Sequence, residues 1–150
     1  MRRKDLELTD PEEIEAILRD ADVVRLGLCR DGRPYVVPLA FGYEKGRLYF
    51  HSAPEGTKLE IIAANPRVCF EADVDRDLVT GEEACRWSFH YRSVVGFGTA
   101  AVVSDRAEKR RGLELLMAHY GGSPAGIPDE MVDSVEVVRV DVETLTGRAN

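Results

Sequence analysis

The sequence has few cysteines, and none of them forms a C-x-x-C pair. Its 150 residues include three cysteines, which are Cys29, Cys69 and Cys85. An odd and widely spaced set of thiols argues against a disulfide framework and against a structural zinc site. Cys29 and Cys69 fall within runs that are typical of strands, so we expect both to act as small core residues.

Long hydrophobic runs are missing as well. The longest apolar stretches, such as residues 36–41, are far too short to span a bilayer. The basic first residues are followed by Asp5, Glu7 and Asp10 instead of an apolar segment, which argues against a secretory signal. We therefore expect a cytoplasmic protein that does not associate with membranes.

Positive charge is in deficit, with 20 Lys and Arg residues against 27 Asp and Glu and a formal net charge of −7. Such a chain is a poor general binder of nucleic acid. A single small anion is not excluded, because it responds mainly to the cations and amides close to it. The three histidines, His51, His90 and His119, lack the spacing of metal ligands, so no metal site is predicted.

The chain does contain a β-rich pattern with helices between the strands. Capping and periodicity signals predict helices over residues 10–22, 57–65 and 105–120. β-favouring runs bounded by turns predict strands over residues 23–30, 33–43, 47–52, 67–74, 85–104 and 135–142. Residues 75–83 and 121–134 are predicted to be loops. Six strands that close on themselves predict a small barrel with helices at its ends.

The usual phosphate-binding loops are missing, but a different anion-binding corner is present. A predicted strand ends at His51 and Ser52, a loop with Gly56 follows, and a helix begins near Thr57. The helix start offers free backbone N–H groups, to which Ser52 and Thr57 can add hydroxyls and Lys58 a full charge. This chemistry suits an oxyanion. The alternative is an ordinary corner with a capping threonine and a solvated lysine.

Two further strand segments carry candidate binding groups. In the first, Pro38 interrupts a strand and leaves backbone groups that the edge of a planar, hydrogen-bonding ring could meet. The alternative for that segment is an edge strand with ordinary packing. In the second, Tyr91 could stack or donate a hydrogen bond, and Arg92 could pair bidentately with an anion. The alternative there is a strand with outward polar residues.

Taken together, these segments resemble the pyridoxamine 5′-phosphate oxidase-like superfamily, on its nitroimidazole-reductase-like branch. The resemblance extends over about residues 10–142, and the matching elements stand in the family's order. They are residues 31–38, residues 49–52 with 56–58, residues 65–70, residues 91–94 with Gly98, and residues 108–109. Each element alone is a weak signal, but their order and spacing are specific to the fold and to FMN.

The resemblance implies a mainly β, β-rich α+β protein: a six-stranded antiparallel split β-barrel with flanking helices, in one FMN-binding domain over residues 1–150. It also implies a homodimer with two FMN sites at the interface. The implied cofactor-binding residues are Val37, Pro38, Leu39, Phe50, His51, Ser52, Gly56, Thr57, Lys58, Tyr91, Arg92 and Ser93. His51 is the one candidate catalytic residue, because the branch keeps a histidine near the flavin and the substrate.

The predicted function is that of an FMN-dependent oxidoreductase that reduces a small electron acceptor such as a nitro-aromatic. Three alternatives stay open: a non-catalytic flavin- or haem-binding module of the same fold, a deazaflavin-dependent reductase, and a structural dimer without a ligand. The segment of residues 75–87 matches no family motif. We expect Trp87, within that segment, to pack against a barrel end rather than to shape a substrate pocket.

Overall fold

The computed structural model describes residues 4–123 and 125–150. The helices in this part of the chain are α1 (Pro11–Asp20), α2 (Thr57–Ala64), α3 (Arg106–His119) and α4 (Asp129–Ser134), with 3-10 turns at Lys4–Leu6 and Ala84–Arg86. The strands are β1 (Glu7–Leu8), β2 (Val24–Arg30), β3 (Arg33–Leu39), β4 (Gly42–Glu44), β5 (Arg47–Ser52), β6 (Arg67–Val79), β7 (Ser88–Val102) and β8 (Glu136–Ala149). The three predicted helices are thus confirmed.

All strands pair antiparallel in one sheet, in the order β3-β2-β6-β7-β8-β5-β4, with β1 paired to β8. The sheet is not closed, because β3 and β4 remain as its edges within the described residues. Both halves of the sheet nevertheless share one core, which includes Leu26, Phe70 and Val94 as well as Phe50 and Val140. The sheet therefore curls round its core, and the predicted mainly β split-barrel fold is confirmed.

The described residues form eight strands, whereas six were predicted. The predicted strand over residues 33–43 divides into β3 and β4, because the chain turns inward between them to bury Phe41. The N–H group of Phe41 donates to the Tyr120 hydroxyl at 3.2 Å, so the break is satisfied by a side chain from the end of α3. The short β1 is the other addition.

β6 is longer than predicted, because it continues to Val79 through part of the predicted loop at residues 75–83. A bulge interrupts the ladder between Val74 and Asp77, and Asp75 within it has a φ of 54°. The extra residue is absorbed there, so pairing with β7 resumes beyond it. Because this segment is polar and acidic, its sequence predicts a loop instead of a strand.

Three other boundaries also differ from the prediction. The strand predicted over residues 85–104 begins at Ser88 and ends at Val102, because Ala84–Arg86 forms a 3-10 turn. The loop predicted over residues 121–134 contains α4, which is anchored by the fully buried Val132. β8 continues to Ala149 instead of ending at Val142, because β7 pairs with it along that whole length.

The hairpin of β2 and β3 leads to an open edge of the sheet. Asp31 and Gly32 have positive φ angles of 52° and 75°, as the two-residue turn predicted for this dipeptide requires. β3 then carries Pro34 and Pro38 along the edge. The interpretation of Pro38 as an edge-strand proline is confirmed. Since a proline cannot donate to a ladder, its nitrogen belongs on the side of β3 that faces away from β2.

β5 is held from both sides, which fixes the position of its last residues. Leu48 and Phe50 face the barrel core, whereas Tyr49 packs in a second cluster with Val137 and Leu113 of α3. Gly112 allows this helix to approach closely, because a Cβ atom there would come within 2.9 Å of Tyr49 and Val137.

Two side-chain expectations are wrong. Cys69 is exposed, because its neighbours Val68 and Phe70 face the core and strand alternation directs the thiol outward; Cys29 is half-buried. Trp87 is 54% exposed and therefore does not pack against a barrel end. No helix within residues 4–123 and 125–150 is long and apolar enough to cross a bilayer.

Candidate functional site

The first turn of α2 begins without a side-chain cap. Its N-cap residue is Gly56, with a φ of 142°, and no side chain of the described residues caps the helix. The first helical hydrogen bond runs from the N–H of Glu60 to the carbonyl of Gly56 at 3.1 Å. The amides of residues 57–59 precede that bond, so they remain available to an external acceptor.

Lys58 lies at this helix start without a counter-ion. Its Nζ atom is 5.3 Å from the centre of the Phe50 ring, which places the ammonium over the end of the barrel. Within the described residues, no carboxylate forms an ion pair with it. Burial lowers the pKa of Lys58, because a partly desolvated ammonium is harder to keep charged. An anion bound here would offset that loss of hydration.

Ser52 adds a hydroxyl next to this corner. It is the one polar residue of the described part that is buried, with 8% of its surface exposed. Alternation along β5 puts it on the same side as Phe50, whose ring contacts Lys58. No side-chain hydrogen bond of Ser52 is present within residues 4–123 and 125–150, so its hydroxyl can serve a ligand.

His51 faces the other way. It is exposed, and strand alternation places its ring on the side of Tyr49, opposite to Phe50 and Ser52. The structure thus separates the side chains of the His51–Ser52 pair onto two faces of β5. A catalytic role of His51 stays a prediction.

A cavity of about 530 Å³ joins the start of α2 to the hairpin of β2 and β3. Its lining residues are Arg30, Asp31, Arg33, Pro34, Tyr35, Thr57, Glu60 and Ile61. It brings the predicted residue Thr57 next to Arg33 and Tyr35, which were not among the predicted site residues. Their place two to four residues before Val37 was a signal, but only the packing of α2 against β2 shows that they line the same cavity.

The predicted residues of β3 lie beside this cavity along the open edge. Val37 and Leu39 are half-buried and pack against the core, whereas Pro38 is exposed. Pro38 also lines a second, acidic cavity of about 650 Å³, together with Arg25 and Asp73. β3 therefore runs from the cavity at the start of α2 to this second, polar cavity.

Tyr91, Arg92 and Ser93 lie at the far end of the sheet. His51 pairs with Val137 of β8 and Ser93 pairs with Arg148, so the two pairings are eleven residues apart along one strand. That interval is at most about 36 Å of strand, and the bulge between Val142 and Thr144 shortens it. A single chain therefore does not bring Tyr91–Ser93 to the corner formed by Ser52 and Lys58.

The guanidinium of Arg92 is already engaged. It donates to Asp75 at 2.5 Å and to Asp20 at 3.0 Å, and these bonds raise its pKa above the ordinary value. Its neighbours Tyr91 and Ser93 instead face the outer side of β7, where they line a recess of about 340 Å³. Arg92 could bind the anion of a ligand only if it released Asp75 and Asp20.

The outer side of the sheet carries an exposed apolar surface. Val36, Gly27, Cys69 and Phe97 form one row across β3, β2, β6 and β7, because each is paired with the next. Val36 is 66% exposed and Phe97 is 51% exposed, and Val95 lies one step along β7 on the same side. We call Val36, Cys69, Val95 and Phe97 the outer apolar face. An exposed apolar surface of this kind is typical of an interaction site.

Known proteins share this architecture. Among solved structures, a candidate 5-nitroimidazole antibiotic resistance protein from Bacteroides thetaiotaomicron superposes with a TM-score of 0.84 and 35% identity, over 95% of this chain and 85% of that one. An FAD-binding protein from Mesorhizobium loti has a TM-score of 0.70 and 28% identity, over 95% and 96% of the two chains.

Comparisons at the level of sequence agree. An uncharacterized protein from Rhizobium meliloti is 37% identical over 60 residues, which are 40% of this chain and 39% of that curated relative. The family model described as pyridoxamine 5′-phosphate oxidase matches residues 10–149. Since that match extends over nearly the whole described barrel, the chain belongs to the pyridoxamine 5′-phosphate oxidase family.

Proposed function

We propose that the chain binds FMN at the corner formed by the end of β5 and the start of α2. The observation that carries the proposal is Lys58, a half-buried ammonium at the start of α2 that has neither a counter-ion nor a helix cap beside it within residues 4–123 and 125–150. A phosphate monoester is the natural complement of that arrangement, because it supplies both negative charge and acceptors for the free amides.

The residues around the corner suit the rest of an FMN molecule. The amides of residues 57–59 and the Lys58 ammonium would hold the phosphate, and Arg33 lines the same cavity as Thr57. The buried Ser52 hydroxyl would donate to the phosphate or to the ribityl chain. The half-buried Val37 and the open backbone edge of β3 would lie along the ring.

The proposed activity is reduction of a small electron acceptor such as a nitro-aromatic compound. A bound flavin supplies the electron transfer, and the protein positions both partners and sets their electrostatics. The 35% identity with the candidate nitroimidazole resistance protein supports this acceptor class. His51 stays the candidate catalytic residue. Its exposed ring could exchange protons with water, but it would have to reach the flavin from the opposite face of β5.

The proposal includes a homodimer, because the site is incomplete in one chain. Tyr91 and Ser93 of β7 lie beside the far end of β8 from the residues that pair with β5, so they do not reach the corner of their own subunit. A second copy that docks on the outer apolar face would supply them, and it would also remove Val36 and Phe97 from water. A single FMN-binding domain and a cytoplasmic location complete the proposal.

Absorbance spectroscopy of the purified protein is the first test. We expect a yellow protein with flavin bands, or stoichiometric binding of added FMN to the colourless protein, followed by bleaching with a nicotinamide donor. Parallel titrations with FAD and a deazaflavin separate the flavin classes, and the FAD-binding neighbour makes FAD the first competitor. A protein that binds none of the three would refute the proposal. A tightly bound flavin that no donor reduces would favour a non-catalytic module.

Sedimentation measures the dimer independently of the cofactor. We expect a dimer for the wild type and a monomer for Phe97→Glu, because the substitution places an unpaired charge within the outer apolar face. Met131 of α4, which is 48% exposed and far from that face in the sequence, provides the control Met131→Glu. A wild-type monomer, or a Phe97→Glu dimer, would contradict the proposed interface.

A further inference from the structure

β6 and β7 extend beyond the barrel as a hairpin. Past the bulge at Asp75, residues 77–79 pair with residues 88–90, and the connection between them contains the 3-10 turn. We call residues 77–90 the arm. It includes most of residues 75–87, the segment that matches no family motif.

The arm presents three large apolar side chains to solvent. Leu78, Trp87 and Phe89 are 55%, 54% and 52% exposed. Leu78 lies directly opposite Phe89 in the ladder, so these two form one apolar surface. Half-exposed aromatic residues on a projecting hairpin contribute little to the stability of their own chain, which points to a partner that covers them.

The tip of the arm is nevertheless ordered. The indole N–H of Trp87 donates to the carbonyl of Gly81 at 2.8 Å, and its backbone N–H donates to Ala84 at 3.3 Å. At the base, the side-chain amide of Asn150 donates to the carbonyl of Phe89 at 2.6 Å. These contacts orient the indole of Trp87 and fix the backbone at Phe89.

The arm is continuous with the surface proposed for the dimer. Phe89, Tyr91, Ser93, Val95 and Phe97 alternate along β7, so all five side chains emerge on its outer side. Phe89, Tyr91 and Ser93 also share the recess of about 340 Å³ at the base of the arm. Any partner that receives Tyr91 and Ser93 must therefore also meet the arm.

We propose that the arm of each subunit extends over the flavin site of its partner, and that Trp87 and Phe89 bind the ring of a planar aromatic electron acceptor there. The proposal rests on the proposed function, because it takes the occupant of the outer apolar face to be a second copy. Aromatic side chains recognise a planar ring by offset or edge-to-face stacking, which excludes water and needs no charge on the ligand. The arm would thus determine which acceptors are used.

Fluorescence can locate the arm, because Trp87 is the only tryptophan of the chain. The experiment uses mixed dimers in which one subunit carries Lys58→Ala and keeps Trp87, while the other carries Trp87→Phe and binds FMN. We expect FMN to quench the tryptophan emission of these dimers strongly, since energy transfer to a flavin falls steeply with distance. The flavin absorbance reports binding separately. Bound FMN with unchanged emission would refute the arm's placement, and no FMN binding would refute both proposals.

Kinetics test the role of the ring. We expect Trp87→Ala to raise KM for a nitrobenzene acceptor roughly three- to tenfold, the equivalent of one lost stacking contact. Oxidation of the reduced protein by dioxygen should not change, because dioxygen has no ring to stack. Trp87→Phe should keep most of the affinity, and the exposed control Met131→Ala should behave as the wild type. An unchanged KM for Trp87→Ala, or an equal loss with dioxygen, would refute acceptor binding by the arm.

Discussion

Helices α2 and α3 begin in opposite ways. In α3, the carboxylate of Asp105 accepts a hydrogen bond from the N–H of Glu108 at 2.8 Å, and Arg106 binds Asp133 at 2.9 Å. The chain itself thus satisfies one free amide of that first turn and pairs the charge of Arg106. In α2, a glycine occupies the N-cap position, and Lys58 has no counter-ion within the described residues.

The difference separates a helix start that the chain caps itself from one that the described residues leave uncapped. Both starts have the same unpaired amides, because every helix leaves its first N–H groups without a helical partner. An acidic cap makes the chain independent of any ligand, as Asp10 also does for α1. The start of α2 instead has a glycine followed by a half-buried lysine, which is the arrangement that the proposed phosphate would complete. Substitutions of Lys58, Asp105 and Thr57 test this difference between the two helix starts.

Lys58→Ala should have the largest effect. We expect it to weaken FMN binding by about 1.5–3 kcal/mol, or roughly 10- to 150-fold, because a charge-assisted phosphate contact is lost. Titration of FMN fluorescence measures the change. Riboflavin, which has no phosphate, should bind equally to both proteins, and Lys45→Ala in an exposed turn is the matched control. Equal losses for FMN and riboflavin would contradict a phosphate contact.

Asp105→Ala should act on stability alone. Loss of the α3 cap should lower the free energy of unfolding by about 1 kcal/mol. For a chain of this size, that corresponds to a fall in Tm of about 2–4 °C. Thermal unfolding measures it, and Asp105→Asn should retain most of the stability because an asparagine can still accept from the amide. A loss of FMN affinity in Asp105→Ala would contradict the prediction that the start of α3 contributes to stability alone.

Thr57→Asp should make the start of α2 resemble that of α3. A carboxylate in the first turn should stabilise the flavin-free protein by about 0.3–1 kcal/mol through the helix dipole. The same charge should repel the FMN phosphate, so affinity should fall. Thr57→Asn has nearly the same shape without the charge and is the control. Equal FMN affinities of the two variants would show that charge at this position does not matter.

The smallest expected effect is a pH dependence in the flavin-free protein. Because burial lowers the pKa of Lys58, the unfolded chain binds more protons than the folded one between that lowered pKa and the ordinary value of about 10.4. The free energy of unfolding should therefore rise with pH in that window, and the penalty should be fully present below it. Lys58→Met should be more stable than the wild type at neutral pH, with a difference that shrinks at alkaline pH. A difference independent of pH would contradict the desolvation of this lysine.

Local signals in the sequence predicted much of the fold. Asp10 and Asp105 cap helices as expected, the Asp31–Gly32 dipeptide forms its hairpin, and Pro38 lies on an edge strand. Each of these features depends on a few neighbouring residues, so the chain alone reveals it. The extension of β6 depends instead on a partner strand, and the break before β4 depends on the burial of Phe41 beneath a distant helix.

The candidate site was predictable to the same degree. The corner of Ser52 and Lys58 is contiguous in sequence, and its free groups follow from the helix start. Strand alternation could also have placed His51 on the opposite face. The contribution of Arg33 and the separation of Ser93 could not have been derived, because both follow from how the sheet curls and pairs.

The two prolines of β3 have a consequence for the molecule before any cofactor is bound. An unpaired sheet edge is a template on which strands of neighbouring molecules can assemble into aggregates. Pro34 and Pro38 remove two N–H donors from the outward side of this edge and leave that of Val36 between them, so a foreign strand would continue the ladder poorly there. The edge along which we propose the flavin ring to lie is therefore a poor template for other polypeptides, which would help the flavin-free molecule to stay dispersed.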